Sequence, residues 1–142
     1  YVNDTEQANI RVFEVQGERL ADGWIFASGI GDILKPGAPD GMKCDAEGNV
    51  RVTAPRGLWV YAPSGWLIGK VSIPELAANR LWGGADWRTL HVCACTSVCA
   101  VDMKVGPRGE PFVRARAASA APAPGAEAAE GDHLVETMRM HA

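Results

Sequence analysis

The sequence predicts an all-β protein. Short runs rich in β-branched and aromatic residues, such as 10–13 and 58–61, are separated by turns rich in glycine and proline. Strand-like segments recur at a similar spacing, because Gly-Trp followed by an aliphatic residue occurs at 23–25 and again 42 positions later at 65–67. No apolar stripe of helical period is convincing before residue 125.

In chain order, the pattern predicts three rounds of strands. The first round comprises residues 1–4, 9–15 and 23–28; the second comprises 42–44, 50–54, 58–61 and 66–71; the third comprises 79–82, 90–95 and 98–103. A four-stranded unit of about 40–45 residues is the size of one blade of a β-propeller. Periodicity alone leaves a β-sandwich open as an alternative.

The composition changes after residue 105. Residues 106–111 are predicted to be a linker, and 115–131, mostly alanine, proline, glycine and glutamate, are predicted to be disordered. Residues 132–142 are predicted to form a short helix, because Leu134, Met138 and His141 fall at helical spacing. We therefore divide the chain into a folded part, 1–105, and a linker with a low-complexity tail, 106–142.

Composition excludes several classes of function. The 142 residues carry a net charge of −3 and no basic stripe, which argues against nucleic acid and anionic membranes as partners. No apolar stretch approaches the length that spans a bilayer. The sequence starts with Tyr1, inside a predicted strand, so we expect this chain to be the C-terminal portion of a longer protein.

Four cysteines are present, Cys44, Cys93, Cys95 and Cys99. Their spacing is not that of a zinc site, and His91 is the only nearby histidine. We therefore expect free, buried thiols, which favour a reducing compartment such as the cytoplasm. His91 itself is expected to be a packed strand residue.

The stretch 37–50 carries the main functional candidate. Proline before Asp40 and glycine after it predict a stiff, sharp turn that exposes the carboxylate at the entrance to a strand. Such a position suits a metal ligand, with a solvated loop acid as the alternative. Asp45 and Asn49 are interpreted as residues of the hairpin turn that follows.

Pro39-Asp40-Gly41-Met42, together with Asp-Ala-Glu-Gly-Asn at 45–49, resembles the SMP-30/gluconolactonase/LRE family of regucalcin-like, calcium-dependent lactonases. Segments 1–5 and 82–90 agree with that family in order and spacing, so the resemblance covers roughly residues 1–105. It implies a six-bladed β-propeller, of which this chain would carry about two and a half blades.

The resemblance also implies a site. In the family one divalent ion is held by a glutamate, an asparagine and an aspartate from different blades, and Asp40 occupies the aspartate position. The ion would be Ca²⁺, with Mg²⁺, Mn²⁺ or Zn²⁺ as alternatives, and Asp40 would also be the catalytic general base. Asp4 is either an outer residue that supports the ligands or a turn acid. Asn3 does not replace the missing asparagine, because it lies in a strand.

The implied function is hydrolysis of a small sugar lactone or related ester. The alternatives are a non-catalytic propeller that binds small molecules or partners, and a phosphotriesterase-like propeller hydrolase. Because the other ligands would come from missing N-terminal blades, we expect the isolated chain to be inactive. Arg51 stands where the resemblance suggests tryptophan and is interpreted as a sign of divergence. Four tryptophans are expected to pack between blades: Trp59, Trp66, Trp82 and Trp87.

Overall fold

The computed structural model describes residues 1–31, 34–109 and the backbone of 138–141. These residues form thirteen β-strands and no helix, and none of them belongs to a helix that could cross a membrane. The strands are β1 (Val2–Asp4), β2 (Asn9–Val12), β3 (Val15–Gln16), β4 (Arg19–Leu20), β5 (Trp24–Ala27), β6 (Met42–Cys44), β7 (Val50–Ala54), β8 (Gly57–Tyr61), β9 (Leu67–Ser72), β10 (Ala77–Gly83), β11 (Thr89–Ala94), β12 (Val98–Asp102) and β13 (Met138–His141).

Eleven of the thirteen strands form three antiparallel sheets that follow one another along the chain, and β3 and β4 pair in a separate two-stranded sheet. The first sheet has the order β1-β2-β5, the second β6-β7-β8-β9, and the third β10-β11-β12-β13. The all-β prediction and the three rounds of strands are therefore confirmed. The predicted strand 9–15 is shorter than expected, because β2 ends at Val12 and residues 15–16 pair with 19–20 in a separate hairpin.

The second sheet lies between the other two, and its strand β7 is buried at every position. One cluster of buried side chains joins it to the first sheet and another joins it to the third. The first cluster consists of Ile10, Ala27, Ile30, Val50, Val52, Ala54 and Tyr61. The second consists of Leu58, Ile73, Ala77, Trp82, Leu90, Val92, Cys99, Val101 and Met103. Burial of these apolar surfaces is what fixes the sheets face to face.

The outermost faces of the first and third sheets are only partly covered. On the first sheet, Val2 and Ile25 are 50% and 47% exposed. On the third sheet, Leu81 and Val98 are 63% and 48% exposed. We call these surfaces the outer faces.

The predicted C-terminal helix is wrong. Met138–His141 is a strand that pairs antiparallel with β12. A short isolated helix is marginal in water, whereas pairing with β12 satisfies the backbone groups of an otherwise open sheet edge. The predicted disorder at 115–131 falls outside the described residues. Residues 106–108, within the predicted linker, form hydrogen bonds with the end of β6 and the turn after it. The Ala46 N–H donates to the Gly106 carbonyl and the Arg108 N–H to the Cys44 carbonyl, both at 3.0 Å.

The expectation of buried thiols is wrong for two of the four cysteines. Cys93 and Cys95 are exposed, Cys44 is partly buried, Cys99 is buried, and all four are free. His91 is exposed as well, and not packed as expected. Neighbouring residues of a strand point to opposite faces, so the burial of the residues on either side of His91 places it and Cys93 on the outer face.

Packing between sheets accounts for three of the four tryptophans. Trp82 is 2% exposed within the second cluster, and Trp87 packs against it. Trp59 packs against the first cluster. Trp66 contradicts the expectation, because it is 76% exposed.

Candidate functional site

Asp40 belongs to the turn formed by residues 38–41, which leads into β6; we call it the Asp40 turn. Its side chain is exposed, whereas the preceding Pro39 is buried. The sequence predicts an exposed carboxylate at the entrance to a strand, and Asp40 lies in such a position. Residues of all three sheets form hydrogen bonds with the backbone of this turn.

The first sheet holds the Pro39 carbonyl. The Asn3 amide Nδ2 donates to this oxygen at 3.0 Å, and the Thr5 hydroxyl donates to it at 2.8 Å. Asn3 lies in β1 and Thr5 directly follows that strand. Both contacts fix the residue immediately before Asp40.

The second sheet holds Asp40 and Gly41 through Thr53 of β7. The Asp40 N–H donates to the Thr53 hydroxyl at 3.1 Å, and the Thr53 N–H donates to the Gly41 carbonyl at 3.0 Å. Thr53 is fully buried. A buried threonine with both its hydroxyl and its N–H engaged is a rigid support for the turn.

The third sheet holds Gly41 through β10. The Gly41 N–H donates to the Ala78 carbonyl at 3.0 Å, and the Arg80 guanidinium donates from Nη1 to the Gly41 carbonyl at 2.8 Å. A Cβ at position 41 would lie 2.5 Å from Asn79 Oδ1 and 2.7 Å from Asn79 Cα. Glycine is therefore required because β10 runs so close to the turn.

The Asp40 turn thus has a fixed backbone and a solvent-facing carboxylate. An oxygen donor of this type is the kind that Ca²⁺ takes, so Asp40 fits one position of a calcium shell. Among the described residues no group of three or more His, Cys, Asp or Glu side chains could hold a metal ion. Six to eight oxygens surround Ca²⁺ in proteins, so Asp40 alone does not supply such a shell.

The other candidates lie in turns. The Asp4 carboxylate accepts a hydrogen bond from the Gln7 N–H at 2.9 Å and caps the turn after β1, as expected for a turn acid. The Asn3 amide donates from Nδ2 to the Pro39 carbonyl and so helps to hold the Asp40 turn. Asp45 and Asn49 form the β6–β7 turn, where the Asn49 N–H donates to Asp45 at 2.8 Å.

Thr53 and Arg80 were not identified from the sequence. Arg80 is 2% exposed, and burial, followed by the charge of Arg51, lowers the pKa of its guanidinium to about 9. Arginine in a strand is ordinarily exposed, so no local pattern marks it as a support for the turn. Both residues contact the turn from other strands, which only the fold reveals.

Comparison with known proteins identifies the family. The family model for the SMP-30/Gluconolactonase/LRE-like region matches residues 1–96. The chain belongs to the SMP-30/gluconolactonase/LRE-like family. The resemblance carried by the Pro-Asp-Gly turn is thereby confirmed for a segment that contains both Asp40 and the supporting Thr53 and Arg80.

Members of this family are similar to the chain in sequence and in structure. The gluconolactonase of Zymomonas mobilis subsp. mobilis is 35% identical over 69 residues, which are 48% of this chain and 19% of that protein. An X-ray structure of a candidate gluconolactonase superposes with a TM-score of 0.66 at 23% identity, covering 75% of this chain and 36% of that one. A luciferin-regenerating enzyme superposes with a TM-score of 0.58 at 21% identity, covering 66% and 33%. The chain therefore spans about a third or less of these relatives.

Proposed function

We propose that the complete protein containing this chain is a metal-dependent hydrolase of small sugar lactones or related esters. Membership of a family named for gluconolactonase supports the reaction class. The main support for the site is the exposed Asp40 carboxylate. It lies on a turn whose backbone forms hydrogen bonds with residues of all three sheets. The three sheets would be consecutive blades of a propeller, and the further metal ligands would lie on N-terminal blades outside this chain.

Asp40 would be one ligand of a divalent ion, with Ca²⁺ favoured by its oxygen donor. When bound, such an ion polarises a lactone carbonyl and lowers the pKa of a water molecule. The contribution of this chain is to present the carboxylate in one orientation, because Asn3, Thr53 and Arg80 fix the residues on either side of it. The same carboxylate would accept the proton of the attacking water as general base.

The test is a calcium titration of the complete protein while acid release from a panel of sugar lactones is followed in a pH-stat. We expect Ca²⁺-dependent release, and a loss of about 100-fold or more in Asp40→Asn because a ligand is weakened. Asp22→Asn, which alters an exposed loop acid, is the matched control and should retain full turnover.

Undiminished turnover of Asp40→Asn with Ca²⁺ present would rule out the assigned role of Asp40. Lactone binding without acid release would identify the protein as a non-catalytic binding module. Faster release from phosphotriesters than from lactones would favour the phosphotriesterase-like alternative.

A further inference from the structure

Arg80 is the largest fully buried side chain among the described residues. It lies on β10, between the second and third sheets, where a leucine or methionine would fill the same space. Its Nε and Nη2 atoms have no hydrogen-bond partner within the described part of the chain. A buried charge with unpaired N–H groups is costly, so its presence calls for a role other than packing.

The surroundings of Arg80 increase that cost. Burial, followed by the positive charge of the neighbouring buried Arg51, lowers the pKa of Arg80 to about 9. Within the described part of the chain, the guanidinium of Arg80 forms one hydrogen bond, from Nη1 to the carbonyl oxygen of Gly41 at 2.8 Å. The contribution that offsets the cost of burying Arg80 must therefore lie in its bond to the Gly41 carbonyl.

Gly41 is a weak point in the Asp40 turn. It has to be glycine because a Cβ would collide with Asn79, yet glycine restricts its own backbone less than any other residue. The residue next to Asp40 thus contributes little rigidity of its own. The restraint has to come from outside, through Ala78, which accepts from the Gly41 N–H, and through Thr53 and Arg80, which donate to its carbonyl.

We propose that Arg80 is a positioning residue for Asp40, which fixes the peptide after Gly41 from the third sheet and so holds the neighbouring carboxylate in its binding orientation. Arg80 does not act on the carboxylate directly; it acts through the Gly41 carbonyl. This inference rests on the proposed function, because the orientation of Asp40 matters for the bound ion.

The test compares Arg80→Met and Arg80→Lys with Arg88→Met in the complete protein. Methionine keeps the bulk but removes the donors and the charge. Lysine keeps the charge and a single donor nitrogen. Arg88 is an exposed arginine before β11. Isothermal titration gives the Ca²⁺ dissociation constant of each variant, and calorimetry gives the melting temperature without calcium.

We expect Arg80→Met to raise the Ca²⁺ dissociation constant about tenfold, which is typical for loss of a residue that orients a ligand. Arg80→Lys should stay within about threefold of the parent, because it still donates to Gly41. Removing a positive charge would by itself strengthen the binding of a cation, so weaker binding reports lost positioning. The melting temperature without calcium should not fall, because a costly buried charge is removed.

An unchanged dissociation constant with a lower melting temperature in Arg80→Met would overturn the inference and leave Arg80 a structural residue. If Asp40→Asn also leaves calcium binding unchanged, the proposed metal role of Asp40 fails instead. In that case the exchange rate of the Gly41 amide decides: faster exchange in Arg80→Met supports positioning, and equal exchange rejects it. Should Arg80→Met not fold, the same measurements on Arg80→Gln replace it.

Discussion

The Arg51 Nε atom lies 3.1 Å from Asp45 Oδ2, and both side chains are buried, at 6% and 0% exposed. The Asp45 carboxylate also accepts from the N–H groups of Glu47 and Asn49 and from the Asn49 side chain. Arg51, which stands where the resemblance suggests tryptophan, therefore has a structural role in this chain. It is the counter-ion of a turn acid whose oxygens are fully engaged.

Breaking this pair should destabilise the chain strongly. Asp45→Asn keeps the shape of the side chain but removes the negative charge that Arg51 Nε contacts, near the second buried charge of Arg80. We expect the free energy of unfolding to fall by about 3 kcal/mol, measured by urea denaturation. Asp22→Asn should change it by less than about 0.5 kcal/mol. Equal urea midpoints for the two variants would contradict a stabilising role of the Asp45–Arg51 pair.

A methyl group at position 41, directly before β6, should be tolerated far less than the same group at position 69 in β9. Gly41→Ala places a Cβ 2.5 Å from Asn79 Oδ1 and 2.7 Å from Asn79 Cα, whereas Gly69→Ala meets no atom within 4 Å. We expect a loss of about 1–3 kcal/mol for Gly41→Ala and little change for Gly69→Ala, from thermal unfolding of both. Similar melting temperatures would show that β10 is not as close to the turn as described.

Glu75 should make the stability of the third sheet sensitive to acid. Its carboxylate accepts from the Thr96 N–H at 2.7 Å, from the Ser97 hydroxyl at 2.9 Å and from the Thr96 hydroxyl at 3.0 Å. These bonds, the backbone N–H of Thr96 first, hold the pKa of the Glu75 carboxyl below its ordinary 4.5. A carboxyl whose pKa is lower in the folded state stabilises above the unfolded pKa, and that contribution is lost as the pH falls through the folded pKa.

Urea denaturation from about pH 5 to about pH 3 tests this sign. The parent chain should lose more stability over that interval than Glu75→Gln, which has no carboxyl at position 75 to protonate. Glu18→Gln, an exposed change in the β3–β4 turn, should lose as much as the parent. A Glu75→Gln chain with the parent's pH dependence would refute the contribution of this carboxyl.

The outer faces should drive self-association of the chain on its own. Ile25 and Leu81 expose apolar side chains on the outer faces, and exposed apolar sheet surfaces favour contact with a further sheet. We expect concentration-dependent oligomers in sedimentation velocity, reduced by Ile25→Lys or Leu81→Lys. Val15→Lys, at a 74% exposed position on the separate hairpin, should have no effect. A monodisperse monomer of the unaltered chain would contradict the expectation.

The strands and the Asp40 turn were predictable because they depend on local sequence. Alternating β-branched residues, with glycine and proline between them, locate β7 and β8 to within a residue. Proline before Asp40 and glycine after it are enough to predict an exposed acid at a strand entrance. The position of His91 was also accessible in principle, because the strand alternation outweighs the general tendency of a residue type to be buried.

The supports of the site were not predictable, because they depend on long-range packing. Asn3 and Arg80 contact the Asp40 turn from positions 36 and 39 residues away in sequence. Their residue types give no signal, since asparagine and arginine in strands usually face solvent. The C-terminal strand was missed for the same reason, because its pairing with β12 lies far along the chain and its local spacing suggested a helix.

The pairing of Met138–His141 with β12 has a consequence for assembly. The bonds in such a ladder are formed by backbone groups, which are the same in every copy of the chain. Strand β13 of one molecule can therefore pair with β12 of a second molecule, and β13 of the second molecule can pair with β12 of the first. At high protein concentration this reciprocal exchange would give a domain-swapped dimer whose two members keep an unchanged ladder.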